Sequence, residues 1–263
     1  MSSANCSDGS PPNGKSLRNK RPIRFLFDEI PAYLNGFGAK PRPGCIIFAQ
    51  GRTGTWLLHS LLNQHPHLHF GKEVLQSPVF APHRYVRGIA KAVSPALYGC
   101  HIQINQLINT QRLDPAGFLH KFASNGWKII YLRRRDIVQQ SISAILAVQR
   151  GIWVSRNPDA ALQSPIVIDI PRVIARVKRR QLHLALEAEI LASLDHLALT
   201  YEQYLQQPAS HQQTADRIFD FLDVKSVPVT AATHPTTPNK LKCVIANYAP
   251  LMERISREFP DYV

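Results

Sequence analysis

An α/β chain, three layers deep with a mostly parallel central sheet between helices, is what three stretches of the sequence predict. Cys45 to Ala49 is a short apolar, β-branched run followed by a tight Gly/Thr loop and then leucines at helical spacing. Trp127 to Leu132 is a second such run, ending in arginines and continuing into the helical period of Ile137 to Val148. Leu197 to Glu202 is a third, ending in an aromatic residue. Strands that alternate with helices in this way build a parallel sheet with helices on both faces.

At 263 residues and 44% hydrophobic content the chain is long enough to bury one α/β domain, expected over residues 23–263. Residues 1–22, rich in Ser, Asn, Gly, Pro and Lys, read as a disordered basic tail. Ile23 to Pro43, broken by prolines, reads as an irregular lead-in. Val79 to Ala96 is expected to be a basic helix, Leu97 to Ile104 a strand and Leu113 to Ser124 a helix. Pro171 suits a helix start, and Arg172 to Leu194 has the pattern of a long amphipathic helix. Its cluster of Arg176, Lys178, Arg179 and Arg180 reads as a solvated face. The final helix is expected from about Ile245.

Lys plus Arg at 31 against Asp plus Glu at 18 gives a net charge of +13, which favours a polyanionic ligand, substrate or surface. The four cysteines, Cys6, Cys45, Cys100 and Cys243, have no CxxC spacing, so neither a zinc nor a redox motif is supported. Cys45 and Cys100 are expected to be buried free thiols. His65, His67 and His69 alternate as ligands on a strand would, but Pro66 and the lack of a nearby carboxylate favour turn or surface positions, and no metal is called for. No apolar run reaches transmembrane length and no secretory signal is evident, so a cytoplasmic setting is expected.

The loop Gly51-Arg52-Thr53-Gly54-Thr55 lies where a strand meets a helix. There the first helical amides lack intrahelical partners and converge with the positive end of the dipole, which suits an anion. Gly51 and Gly54 allow close backbone approach, Thr53 and Thr55 offer hydroxyls, and Arg52 adds a fixed charge. Trp56-Leu57 stands where a nucleotide-triphosphate loop has Lys-Ser/Thr, so a metal-bridged triphosphate fits poorly. The second strand ends in Arg133-Arg134-Arg135-Asp136, and a helix rising from it returns Ser141 or Ser143 to the guanidiniums, a second phosphate pocket. Glu73, shortly after the first helix, is the first candidate for a general base; a solvated glutamate paired with Lys72 is the alternative. His101, polar within an apolar strand, is either a structural histidine or a site residue. Arg150 to Asp169 reads as an acceptor-side loop, with Trp153 as a platform for a sugar ring or a hinge filler.

The compact loop with a cation in second place resembles the 5′-phosphosulfate-binding loop of sulfotransferases that use 3′-phosphoadenosine-5′-phosphosulfate (PAPS). The strand-Arg-Asp element with Ser eight residues after the Arg resembles their 3′-phosphate motif, with Arg135 and Ser143 at the matching positions and Arg134 the alternative one place earlier. The string LRRRDIVQQSISAILAVQRGIW looks like the bacterial branch that includes trehalose, nodulation-factor and lipopolysaccharide sulfotransferases. This resemblance implies a P-loop-like fold and PAPS as donor, with no metal. It implies a sugar or glycolipid acceptor and a glutamate base, which Glu73 matches; the cytosolic arylsulfotransferase branch instead uses a histidine, near the place of His101. It also implies that Tyr201 approaches the adenine. The family's stacking Trp stands one place later than Trp56, so Trp56 is open to either a nucleotide or a core role. Lys240 or Lys242 is a candidate to close over the nucleotide, although a surface lysine is the preferred reading of either. A P-loop kinase-like phosphotransferase and a basic nucleic-acid-binding module are the alternatives, and a homodimer stays open.

Overall fold

The computed structural model describes residues 29–37, 43–93, 97–155, 157, 164–232, 236–237 and 241–262, with Lys72 by its backbone alone. The tail expected at 1–22, Cys6 and Lys240 lie outside them, as does part of the loop after Arg150. Five strands, β1 (Gly44–Ala49), β2 (Leu68–Glu73), β3 (Leu97–Ile102), β4 (Lys128–Arg133) and β5 (Leu197–Thr200), form one sheet in the order β2-β3-β1-β4-β5. Every pairing is parallel. The sheet is therefore wholly rather than mostly parallel among the described residues, and all its carboxyl ends share one edge. β1 is central and buried along its whole length. Its alternate residues serve two cores: Ile46 and Phe48 pack with Ile102, Ile129 and Phe118 on one face, and Cys45, Ile47 and Ala49 with Leu58, Leu61, Ile130 and Phe219 on the other.

Helices α1 (Ile30–Asn35), α2 (Thr55–Leu62), α3 (Pro82–Ala92), α4 (Pro115–Ala123), α5 (Ile137–Arg150), α6 (Ile170–Leu191), α7 (Tyr201–Tyr204), α8 (His211–Phe221) and α9 (Tyr248–Glu258) surround the sheet. A third apolar cluster joins α5, α6 and α9 through Ile142, Val173, Val177 and Leu251. Asp114, Asp136 and Asp169 cap α4, α5 and α6 by accepting hydrogen bonds from first-turn amides. No side chain caps α2, which opens on Gly54.

Three expectations change. The segment with Glu73 is not a loop but β2, an edge strand whose polar content hides it because only Leu68 and Phe70 reach the core. Its pairing with β3 is irregular between Phe70 and Glu73, and the shift sets Glu73 opposite His101. The lead-in contains α1, which packs on α3, and β5 stops at Thr200 so that Tyr201 begins a short helix. His65 lies in the turn after α2, as expected, and is buried there, its Nε2 2.9 Å from the Lys225 carbonyl. Cys45 and Cys100 are buried free thiols.

The β2–β3 seam leaves no room at Gly99, where a Cβ would lie 2.2 Å from the Phe70 ring. Gly99→Ala is expected to destabilise the protein by about 1–3 kcal/mol through overpacking. Thermal unfolding against the parent reads this out, and an unchanged midpoint would show that the edge strand yields freely.

Candidate active site

The ends of β1 and β4 lie side by side, with Ala49 paired to Leu132, so the loops that follow them meet. The first loop turns on two residues with positive φ, Arg52 at 72° and Gly54 at 91°. Gly51 has a different reason to be glycine: a Cβ there would come within 3.3 Å of Gln103 Oε1, which accepts the Gly51 amide. At Gly54 a Cβ would be 2.8 Å from the Tyr201 ring. Thr53 is buried, and its hydroxyl donates to the Gln50 carbonyl at 2.8 Å, so it braces the loop instead of offering a free donor. Thr55 and Trp56 line a cavity of about 1120 Å³ that also takes in Gly51, Arg52, Glu73, Arg134, Ser143 and Tyr201.

Arg52 spans the two loops. Its Nε donates to Ser143 Oγ at 3.1 Å, Nη1 to the Trp153 carbonyl at 2.6 Å, and Nη2 to the Thr236 hydroxyl. Thr237 in turn donates to Ser143 at 3.0 Å. Burial, then the nearby Arg134, lowers the Arg52 pKa to about 10, which leaves it a cation at neutral pH. Gln140 Nε2 donates to the Gly51 carbonyl at 3.0 Å, a further strut from α5.

Of the arginine run, Arg134 faces the cavity. Its Nη1 donates to the Arg52 carbonyl at 3.4 Å, its guanidinium lies 4.6 Å from the Tyr201 ring centroid, and its Nε is 3.8 Å from Glu202. Arg135, the residue at the matching position, lies outside the cavity lining with its side chain 68% exposed. The chain turns at this point because the Arg135 and Asp136 amides both donate to the Glu202 carboxylate, at 3.0 and 3.1 Å. Ser141 is buried and bonded back to the Ile137 carbonyl, so Ser143 is the serine that reaches the site. Lys242 is exposed and outside the lining.

Glu73 and His101, alternatives in the sequence, form one unit. His101 is 1% exposed, with Nε2 2.9 Å from the Ala49 carbonyl and Nδ1 3.4 Å from Glu73 Oε1. A carbonyl only accepts, so Nε2 carries a proton and Nδ1 is the nitrogen that faces the carboxylate. Gln76 and Gln106 donate to Glu73 Oε2 at 3.1 and 2.8 Å. Burial pushes the Glu73 pKa up, but the hydrogen bond and charge of His101, with Gln76 and Gln103, outweigh it and hold the carboxyl below its ordinary value. Glu73 lines the cavity and His101 stands behind it.

The basic cluster of α6 is a solvated face only in part: Lys178 and Arg179 are exposed, Arg176 is half-buried and Arg180 is buried. Arg176, Arg179, Arg180 and His183 line the cavity, and only Lys178 turns away, to Glu258 at 2.7 Å. The i, i+3, i+4, i+7 spacing of those four residues was the available signal. Arg180 donates to Gln50 Oε1 at 3.2 Å and to the Gly51 carbonyl at 3.1 Å. Behind it Glu187 accepts from Gln50 at 3.2 Å and Tyr131 at 3.0 Å, and burial pushes its pKa up to about 7. Thr236 and Thr237, from a loop with no recognisable pattern, are further site residues that the sequence did not reveal.

Between the ordinary carboxylate value of 4.5 and about 7, folded Glu187 keeps a proton that the unfolded chain has released. Stability is therefore lost as pH rises through that window. Glu187→Gln retains an acceptor for Tyr131 and Gln50 and does not ionise. Urea unfolding is expected to show its advantage over the parent widening from pH 4.5 to 7 and levelling above it. A difference that is flat with pH would mean that Glu187 is ionised throughout.

No family model matches the chain, and no curated protein matches it in sequence. Among solved structures, a crystal structure of a sulfotransferase from Alicyclobacillus acidocaldarius is similar, with a TM-score of 0.53 and 16% identity. The match covers 84% of this chain and 93% of that one. At this identity the likeness establishes a shared α/β fold.

Proposed function

We propose that the protein is a PAPS-dependent sulfotransferase that moves a sulfuryl group to a hydroxyl of a carbohydrate or glycolipid acceptor. The observation that carries this reading is the Arg52–Ser143 hydrogen bond, which draws the anion loop after β1 and the serine of α5 to one cavity, with Glu73 on the same lining. The residues fit such a donor. An uncapped helix start, the Thr55 and Ser143 hydroxyls and the Arg52 and Arg134 guanidiniums all line one cavity. The fold shared with a sulfotransferase adds support.

On this reading the loop amides, Arg52 and Thr55 hold the 5′-phosphate, Arg134 and Ser143 hold the 3′-phosphate, and Tyr201 and Trp56 flank the base. When bound, PAPS supplies the sulfuryl group and a phosphate leaving group. Glu73, ionised at neutral pH, takes the proton of the acceptor hydroxyl. His101 fixes the carboxylate from behind through its anchor on Ala49, so it acts as a positioning residue. Arg52 and the amides stabilise the charge that develops on the leaving oxygen, and transfer in line needs positioning more than covalent chemistry. No helix of the described residues is long and apolar enough to cross a membrane, and a cytoplasmic enzyme is part of the proposal.

Calorimetry with 3′,5′-phosphoadenosine is expected to show binding that chelator leaves unchanged and that Arg52→Ala weakens at least about tenfold, the loss of one charge-assisted contact. Tight binding of ATP with Mg²⁺ in its place would move the case to a kinase. Glu73→Gln should retain nucleotide affinity and lose about 10²- to 10⁴-fold in turnover with labelled PAPS and a glycolipid or sugar panel. Undiminished turnover would remove Glu73 from the role of base.

A further inference from the structure

The cavity holds more positive charge than two phosphate cradles use. Besides Arg52 and Arg134, its lining includes Arg176, Arg179 and Arg180 on α6, with His183 one turn on, and Glu73 is the one carboxylate among the described lining residues. Glu73 is already engaged by His101, Gln76 and Gln106. Glu187 faces Arg180 from behind, with its pKa raised to about 7 by burial, so it offsets only part of that charge.

The α6 arginines meet the loop at its Gly51 end. Arg180 donates to the Gly51 carbonyl, the Gly51 amide donates to Gln103, and Gln103 also bonds Glu73. The aromatic side of the cavity belongs to the other end of the loop, where Tyr201 and Leu205 lie against Gly54. The cluster thus shares its end of the loop with the candidate base. Arg180 is 6% exposed, and the Nε atoms of Arg176 and Arg180 are closed off from solvent with no hydrogen-bond partner among the described residues. Two buried guanidinium donors without acceptors are costly, and with the exposed Arg179 between them on one helix face the three like charges repel each other, unless an anion sits among them.

We propose that this face of α6 is an anion subsite for the acceptor: the hydroxyl compound presented to Glu73 carries an oxyanion group, held by Arg176, Arg179 and Arg180 with His183 beside them. The word acceptor rests on the sulfotransferase reading, whereas the subsite does not. Inorganic sulfate is the probe, titrated into protein saturated with PAPS, so that both phosphate cradles and the sulfuryl position are filled. Sulfate is expected to bind. Arg176→Gln combined with Arg179→Gln should weaken sulfate at least about tenfold, while PAPS affinity at 0.15 M salt, where screening is strong, falls less than about threefold. An unchanged unfolding midpoint verifies that the variant is folded. Competition with glucose 6-phosphate and with glucuronate separates a phosphate ester from a carboxylate, and neutral glucose should not compete. Sulfate expelled by PAPS, sulfate binding indifferent to the double variant, or equal losses for both ligands would overturn the proposal. If PAPS itself fails to bind, the sulfotransferase reading falls alone, and the same titration into the free protein still decides the subsite.

Discussion

The edge of the sheet is held together by Arg52, a cation that no carboxylate among the described residues neutralises directly. Arg52 sits in left-handed backbone geometry, which costs a residue with a Cβ of order 1 kcal/mol or more. Its guanidinium offsets that cost by bonding three separate segments, at Ser143, Trp153 and Thr236. All three acceptors are neutral oxygens. A charged acceptor would tie the loop more strongly but would consume the positive potential, whereas hydroxyl and carbonyl oxygens fix the geometry and leave the charge available to a ligand.

The carboxylates near the site are distributed accordingly. Glu202 receives the amides of Arg135 and Asp136 and lies near Arg134, so it shapes the turn after β4. Glu187 is buried behind Arg180, with its pKa near neutrality because of desolvation. Among the described residues Glu73 is the one carboxylate that reaches the cavity, and His101 helps to keep it ionised there. Each acid is spent on one local task, and the arginines of α6 are left in excess. That excess has the same origin as the lowered Arg180 pKa of about 9: burial first, then the neighbouring Arg176 and Arg179.

Local signals carried the two loops. A strand, a Gly/Thr turn and a helix are written in consecutive residues, so Gly51 to Trp56 and the run from Arg133 to Ser143 were legible as strand-to-helix junctions. The choice among Arg133, Arg134 and Arg135 was not, because it depends on Glu202, 66 to 67 residues away, which pins the two amides beyond Arg134. β2 escaped for a related reason: an edge strand with one apolar face lacks the continuous hydrophobic run by which buried strands are recognised. The α6 cluster was seen, but which of its members meet the cavity was not legible, since a basic helix face looks the same whether it meets water or a cavity.

The sequence by itself determined the α/β class, the central strands and the two strand-to-helix junctions at their ends, because those follow from side-chain periodicity and backbone chemistry within a dozen residues. Tertiary structure decided how they are combined. Parallel pairing set the ends of β1 and β4 together and brought Glu73 to His101, and the packing of α6 on the sheet turned its arginines inward. These are contacts between segments far apart in the chain, and their energies depend on distance and desolvation, which no local pattern of residues encodes.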